Sequence, residues 1–229
     1  MLTLLGMGSP NVGKVVLMLE EVGLPYRFER CDVIRGAHRN PDFAALNPNG
    51  KVPVLIGDKD AEGAALSESG AILIYLAERS GRFLAGKGPA RYAALQWLMF
   101  QMAGVGPVLG HSIHLSSFAR QEPYALTRFT NEMRRIADVI DRQLSSQNFL
   151  AGPDYSIADM ALYPWARTAA KFFPDIFSSE AITAWTAAIG SRPAAIRAQV
   201  LLDEQSALDR DSFRAATPEQ LDRYFGRTV

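Results

Sequence analysis

A hydroxyl, a proline and an amide stand together in Ser9-Pro10-Asn11, directly ahead of an apolar repeat. Read as structure, Ser9 is a helix N-cap and Pro10 fits the first helical position. Read as chemistry, a hydroxyl has one donor and two acceptor lone pairs. Ser9 can therefore accept a backbone N–H and still donate its own proton to an anion. A helix N-terminus also favours a nearby thiolate through its dipole. A thioredoxin-type redox site would carry Cys-x-x-Cys here. The chain has Ser9-Pro10-Asn11-Val12 instead, with its one cysteine at Cys31. If thiol chemistry happens at this point, the sulfur comes from a ligand.

Two further segments carry groups suited to holding a peptide-like ligand. In Asn47-Pro48-Asn49-Gly50-Lys51-Val52-Pro53-Val54-Leu55, Asn49-Gly50 is a turn signal and Pro53 enters a strand. The plain reading is a turn feeding that strand. The sharper one makes the Val52–Pro53 bond cis and turns the Val52 backbone N–H and C=O outward, where an extended peptide pairs with them. In Leu66-Ser67-Glu68-Ser69-Gly70-Ala71-Ile72, Ser67 or Glu68 is ordinary helix capping. Alternatively, Glu68 accepts an ammonium group while Ser69 and the helix N–H groups hold a carboxylate, together recognising an amino-acid head group. A fourth segment, Tyr155-Ser156-Ile157-Ala158-Asp159-Met160, has capping-box spacing with its staple positions filled and reads as a folding device.

The composition is that of a globular chain: 229 residues, 48% hydrophobic and 21% charged. Lys+Arg and Asp+Glu are both 24, a balance that leaves no electrostatic footprint for nucleic acid or acidic membranes. One cysteine builds neither an intramolecular disulfide nor a cysteine-rich zinc site, and His111 and His114 alone are not a metal site. No metal is expected. The first residues lack a signal-peptide pattern and no apolar run approaches a membrane span, so a cytoplasmic protein away from membranes is expected.

The elements that must position these residues follow from periodicity. Residues 1–6 read as a strand, and Val12, Val15, Val16 and Leu19 give a helical stripe closed by Gly23. Strands are predicted over Tyr26–Cys31, Val52–Ile56 and, more weakly, Gly63–Leu66. A helix carrying Ile72, Leu73, Leu76 and Ala77 ends near Gly81. Gly81, Gly86 and Gly88 mark a linker, and beyond Pro89 the strand signals stop. Helical runs follow, one of them bent or broken at Gly104, Gly106, Pro107 and Gly110, and another distorted at Pro164. The tail after Asp203 is polar and reads as a loose extension or a short helix folding back. The expected domains are 1–80, a linker 81–88, an all-helical domain 89–205 and an extension 206–229.

Taken together, the four segments resemble the glutathione S-transferase superfamily over about residues 1–200. The resemblance implies an α/β plus all-α fold, with an N-terminal thioredoxin-like domain followed by a C-terminal all-helical domain. It also implies a homodimer with glutathione as co-substrate. Carried over, Val52 and Pro53 would hold the cysteinyl backbone of glutathione, and Glu68 and Ser69 its γ-glutamyl end. Lys51 would meet the glycyl carboxylate, and Ser9 and Asn11 would face the sulfur. His38 stands where a Gln commonly contacts glutathione, and Ser9 where Thr is more common. Arg128 resembles an arginine that reaches glutathione across the dimer.

A narrower likeness ties Ser9–Val15, Asn47–Pro53, Glu68–Leu73 and the stretch from Gln96 to Gly110 to the bacterial Nu-class and fungal prion-related transferases. This implies reduction of a disulfide, glutathione disulfide included, or attack on a small electrophile. The rival from another class is a non-catalytic glutathione-binding interaction protein of the same fold.

Overall fold

The computed structural model describes residues 1–57, 64–118 and 122–228. The described chain divides into two compact units: Met1–Leu76 with Pro193–Val229, and Ala77–Arg192.

In the first unit, β1 (Leu2–Gly6) and β2 (Tyr26–Arg30) pair in parallel, joined by helix α1 (Pro10–Val22). Parallel neighbours need such a crossover, and the stripe of Val12, Val15, Val16 and Leu19 supplies its buried face. Gly23, in the left-handed region at φ 70°, closes α1. A 3-10 turn (Ala37–Arg39) and helix α2 (Pro41–Leu46) lead to β3 (Val54–Ile56) and β4 (Ala65–Ser67), both antiparallel to their neighbours. The sheet order is β2-β1-β3-β4, followed by α3 (Ser69–Ser80). This is the thioredoxin-like βαβαββα arrangement with a mixed sheet. Strand β3 is shorter than the expected Val52–Ile56, because Pro53 has no N–H to give to a ladder. Strand β4 starts at Ala65; Gly63, where a strand was expected to begin, lies outside the described residues.

The second unit is helical among its described residues. Helix α4 (Pro89–Phe100) runs into a π-helical stretch, Gln101–Val105, and then into α5 (Gly106–Phe118). The glycines near 104–110 thus change the helical pitch and do not end the helix. Helices α6 (Pro123–Leu144), α7 (Ile157–Phe172) and α8 (Glu180–Gly190) complete the unit. Helix α7 runs continuously through Pro164. Its start is the expected capping box: Ser156 and Asp159 bond each other's backbone. Asp159, fully buried, also accepts from Leu150 N–H at 2.9 Å and Trp185 Nε1–H at 3.0 Å.

The polar tail is not loose: it folds back as helix, as the second of its two readings had it, but over more residues than a short helix. Helix α9 (Pro193–Ala215) continues through it, and α10 (Pro218–Tyr224) follows with its own capping box, Thr217 to Gln220. Both fold with the first unit. Residues 193–205, read from sequence with the helical domain, and 206–228, read as an extension, therefore share one compact unit with the strands.

Candidate active site

One end of the first unit's sheet gathers the candidate residues. Strand β1 ends at Gly6, and Ser9 follows after a tight turn in which Ser9 N–H reaches Met7 C=O at 2.8 Å. The register Leu5↔Val54 carries Val52 and Pro53 past the start of β3 at this same end. The register Val54↔Ser67 brings Glu68 and Ser69 alongside them. The sheet pairing thus collects three segments distant in sequence.

Ser9 is the N-cap of α1, and its Oγ accepts Val12 N–H at 3.3 Å. The hydroxyl proton remains available for a ligand anion. Asn11, on the first turn, is partly exposed beside it. The Val52–Pro53 bond is cis. Among the described residues, neither Val52 N–H nor its C=O joins a turn, cap or loop hydrogen bond. Pro53 is buried and Val52 half-buried. The turn before them is held by Asn47, whose side chain donates to Lys51 C=O at 2.7 Å and accepts Asn49 N–H at 3.0 Å. The Lys51 side chain is exposed.

Glu68 is exposed and has φ 67°, a left-handed backbone rare outside glycine. Strained residues of this kind cluster at functional sites. Asn49 Nδ2 donates to its carboxylate at 3.3 Å, which fixes where that carboxylate points. Ser69, the first residue of α3, is 3% exposed. Beneath it lies a residue the sequence gave no reason to single out: Lys14, 1% exposed, whose Nζ donates to Ser69 Oγ at 3.3 Å. Burial pushes the Lys14 amine down to about 7, against the opposing pull of the Glu68 carboxylate. A lysine inside an otherwise apolar stripe reads from sequence as a side chain that snorkels outward, so its burial carries no local signal.

His38 lies in the turn Ala37–Arg39, where it lines a small cavity with Ile34, Arg39, Gln220 and Tyr224. Its buried Nδ1 has no hydrogen-bond partner among the described residues. Burial, with Arg39 nearby, lowers its pKa from the ordinary histidine value. Cys31 is buried with Phe43 and Val54, and burial raises its thiol to about 11, so it is a core residue and not a nucleophile. Arg128 belongs to the second unit, exposed on α6 in an open groove with Tyr124, Thr127 and Glu132. Among the described residues no cluster of three or more His, Cys, Asp or Glu could hold a metal ion. No described helix is long and apolar enough to cross a membrane.

The arrangement offers a hydroxyl and an amide at a helix start, an unpaired backbone edge, and a carboxylate beside a buried hydroxyl. Known proteins resemble the chain in sequence and fold. Residues 1–78 match the model of the glutathione S-transferase N-terminal domain, and residues 123–190 that of the C-terminal domain. The disulfide-bond oxidoreductase YfcG of Escherichia coli is 39% identical over 206 residues, covering 88% of this chain and 95% of that protein. A glutathione transferase from Pseudomonas fluorescens, solved with two glutathione bound, superposes with TM-score 0.79 at 37% identity, over 86% of this chain and 91% of that one. The transferase URE2P6 from Phanerochaete chrysosporium, solved with oxidized glutathione, gives 0.83 at 33% identity, over 89% and 97%. With both domain models matched and these relatives covering most of its length, the chain belongs to the glutathione S-transferase superfamily.

Proposed function

We propose that this protein is a glutathione-dependent disulfide-bond reductase and transferase, working on glutathione or glutathione disulfide together with a small disulfide or electrophile. The reading rests above all on Ser9, a hydroxyl that caps α1 and keeps its proton free, at the sheet end that also carries Val52, Glu68 and Ser69. The name of YfcG and the ligands in the two solved relatives support it.

In this reading Val52 pairs with the cysteinyl backbone of glutathione. Glu68 takes its ammonium group and Ser69 its γ-glutamyl carboxylate. Lys51 and His38 meet the glycyl end, Arg128 reaches the ligand from a second subunit, and Ser9 and Asn11 face the sulfur. A free thiol titrates near 8.5, and lowering it by about two units takes about 2.7 kcal/mol of thiolate stabilisation. A hydrogen bond to a charged group contributes about 1.5–3 kcal/mol, so a hydroxyl donor with a helix N-terminus suffices. The thiolate attacks one sulfur of the substrate disulfide, forming a mixed disulfide and expelling a thiolate that takes up a proton. A second glutathione thiolate then attacks the mixed disulfide. Glutathione disulfide and the second substrate thiol result.

A homodimer is consistent with Tyr92 and Met99 of α4, which stay 70% and 50% exposed. A lone buried cysteine suits the cytoplasm, where thiols are kept reduced.

The test is a parallel assay of hydroxyethyl disulfide and a chlorinated nitrobenzene, each with glutathione. Disulfide turnover outpacing conjugation is expected. Dominant conjugation would remove the reductase assignment. Glutathione binding without turnover of either substrate would make the protein a non-catalytic glutathione binder.

A further inference from the structure

The loop that delivers Ser9 is held by the far end of the chain. Gly8 N–H donates to Asp209 Oδ2 on α9 at 2.8 Å, across 201 residues of sequence. The other oxygen of Asp209 takes the guanidinium of Arg30, which lies opposite Gly6 in the β1–β2 register. One turn further along α9, Ser212 Oγ accepts from Arg30 at 3.0 Å and donates to Asp32 at 2.6 Å. Helix α9 thus bonds the backbone just before Ser9 and the strand end next to it.

The fit leaves no room for a side chain. A Cβ on Gly8 would stand 2.6 Å from Ser206 Oγ and 2.7 Å from both Ser206 N and Asp209 Oδ2. Such distances are shorter than real contacts, and the Ser206 nitrogen is backbone and cannot swing aside. Glycine at position 8 is therefore what lets the helix seat on the loop. The side chains of Arg30 and Asp209 are 21% and 13% exposed, so the pair is largely shielded from water and screened less than a surface ion pair.

We propose that α9, through Asp209, is a positioning strap for the Ser9 loop, so that thiolate formation depends on a residue remote from the ligand. The proposal rests on the glutathione-dependent reading above. Asp209 acts through Gly8 and Ser9 and is a positioning residue. Its loss lets the Ser9 hydroxyl drift from the sulfur while Val52, Glu68 and Ser69 still hold the rest of glutathione. Small misplacements of a catalytic group cost up to about a hundredfold in rate.

The experiment compares wild type with Asp209→Ala, Asp209→Asn and Arg214→Ala in hydroxyethyl disulfide reduction over a range of pH. Glutathione binding is measured calorimetrically on the same samples. Asp209→Ala should lower kcat about ten- to a hundredfold with the KM for glutathione changed less than about twofold. The acid limb of its kcat profile should move to higher pH, because a less supported thiolate forms later. Asp209→Asn retains an acceptor for Gly8 N–H but loses the ion pair to Arg30 that fixes it, so its rate should fall between those of Asp209→Ala and wild type. Arg214→Ala, on an exposed part of the same helix, should match wild type.

An Asp209→Ala protein with wild-type kcat and pH profile overturns the proposal. So does a loss of rate that tracks loss of folded protein with the acid limb unmoved. If Asp209→Ala does not fold, amide exchange of Gly8–Asn11 in Asp209→Asn decides. Faster exchange than in wild type supports the strap, and unchanged exchange overturns it. Wild type that binds no glutathione refutes the underlying reading instead.

Discussion

The amine of Lys14 lies 3.3 Å from the hydroxyl of Ser69, with almost no access to water. A buried amine next to a helix start and an acidic neighbour makes stability depend on pH. The folded amine titrates near 7 and the ordinary lysine value is 10.5. Below about 7 the folded state bears the whole cost of the buried ammonium. Between about 7 and 10.5 the unfolded chain keeps a proton that the folded chain has released, so stability rises with pH across that window. Lys14→Met should flatten this slope. Urea unfolding at pH 6.5 and pH 9 should show wild type gaining about 2–3 kcal/mol relative to the variant. Equal gains in both proteins would show that Lys14 is not the group responsible.

Ser9→Ala combined with Asn11→Ala should lower kcat/KM for disulfide reduction roughly a hundredfold or more, since each bond to a thiolate is worth about 1.5–3 kcal/mol. The lost N-cap should cost only about 1 kcal/mol of stability. Ser9→Thr keeps the hydroxyl and should keep the activity. Full activity in the double variant, measured on folded protein by circular dichroism, would end the assignment of these two residues.

Glu68→Gln and Ser69→Ala should each weaken glutathione binding about tenfold or more, because each removes a bond to a charged group. Turnover at saturating glutathione should change far less. Asn49→Ala, which frees the Glu68 carboxylate, should weaken binding by a smaller factor. Calorimetric titration of the three variants would separate these effects. A fall in kcat with unchanged affinity would place Glu68 and Ser69 outside the binding set.

Asp159→Ala should destabilise the second unit by about 3 kcal/mol or more, since Leu150 N–H, Trp185 Nε1–H and Ser156 N–H lose their buried acceptor. Thermal unfolding should fall by about 6–12 °C. Glutathione affinity measured well below the transition should stay near wild type.

What could be read from the sequence was local. The Ser9 cap, Gly23 and the Ser156–Asp159 box each declare themselves within a few residues, and the first unit's strands and helices follow from such signals. The cis bond at Val52–Pro53 was legible as one of two readings of that turn, and the structure has it. Lys14 was not, because its burial is decided by α3, more than fifty residues away. Asn49 read as a turn residue, and nothing local told that its amide would orient Glu68. Gly104, Gly106, Pro107 and Gly110 were read as a bend or a break, since glycines signal a disturbance without saying whether the helix resumes, as it does here through a π-helical stretch. Asp209 is one acid in a charged tail, and only the placement of Gly8 gives it meaning.

The first unit is built from both flanks of the second: its strands come before residue 77 and its closing helices after residue 192. Synthesis from the N-terminus therefore delivers every residue of the helical unit before the strand-bearing one has all of its parts. The early strands and α1 must wait, incompletely covered, until α9 emerges. A chain stalled after residue 192 would carry Ser9 on a loop that has no Asp209 to fasten it.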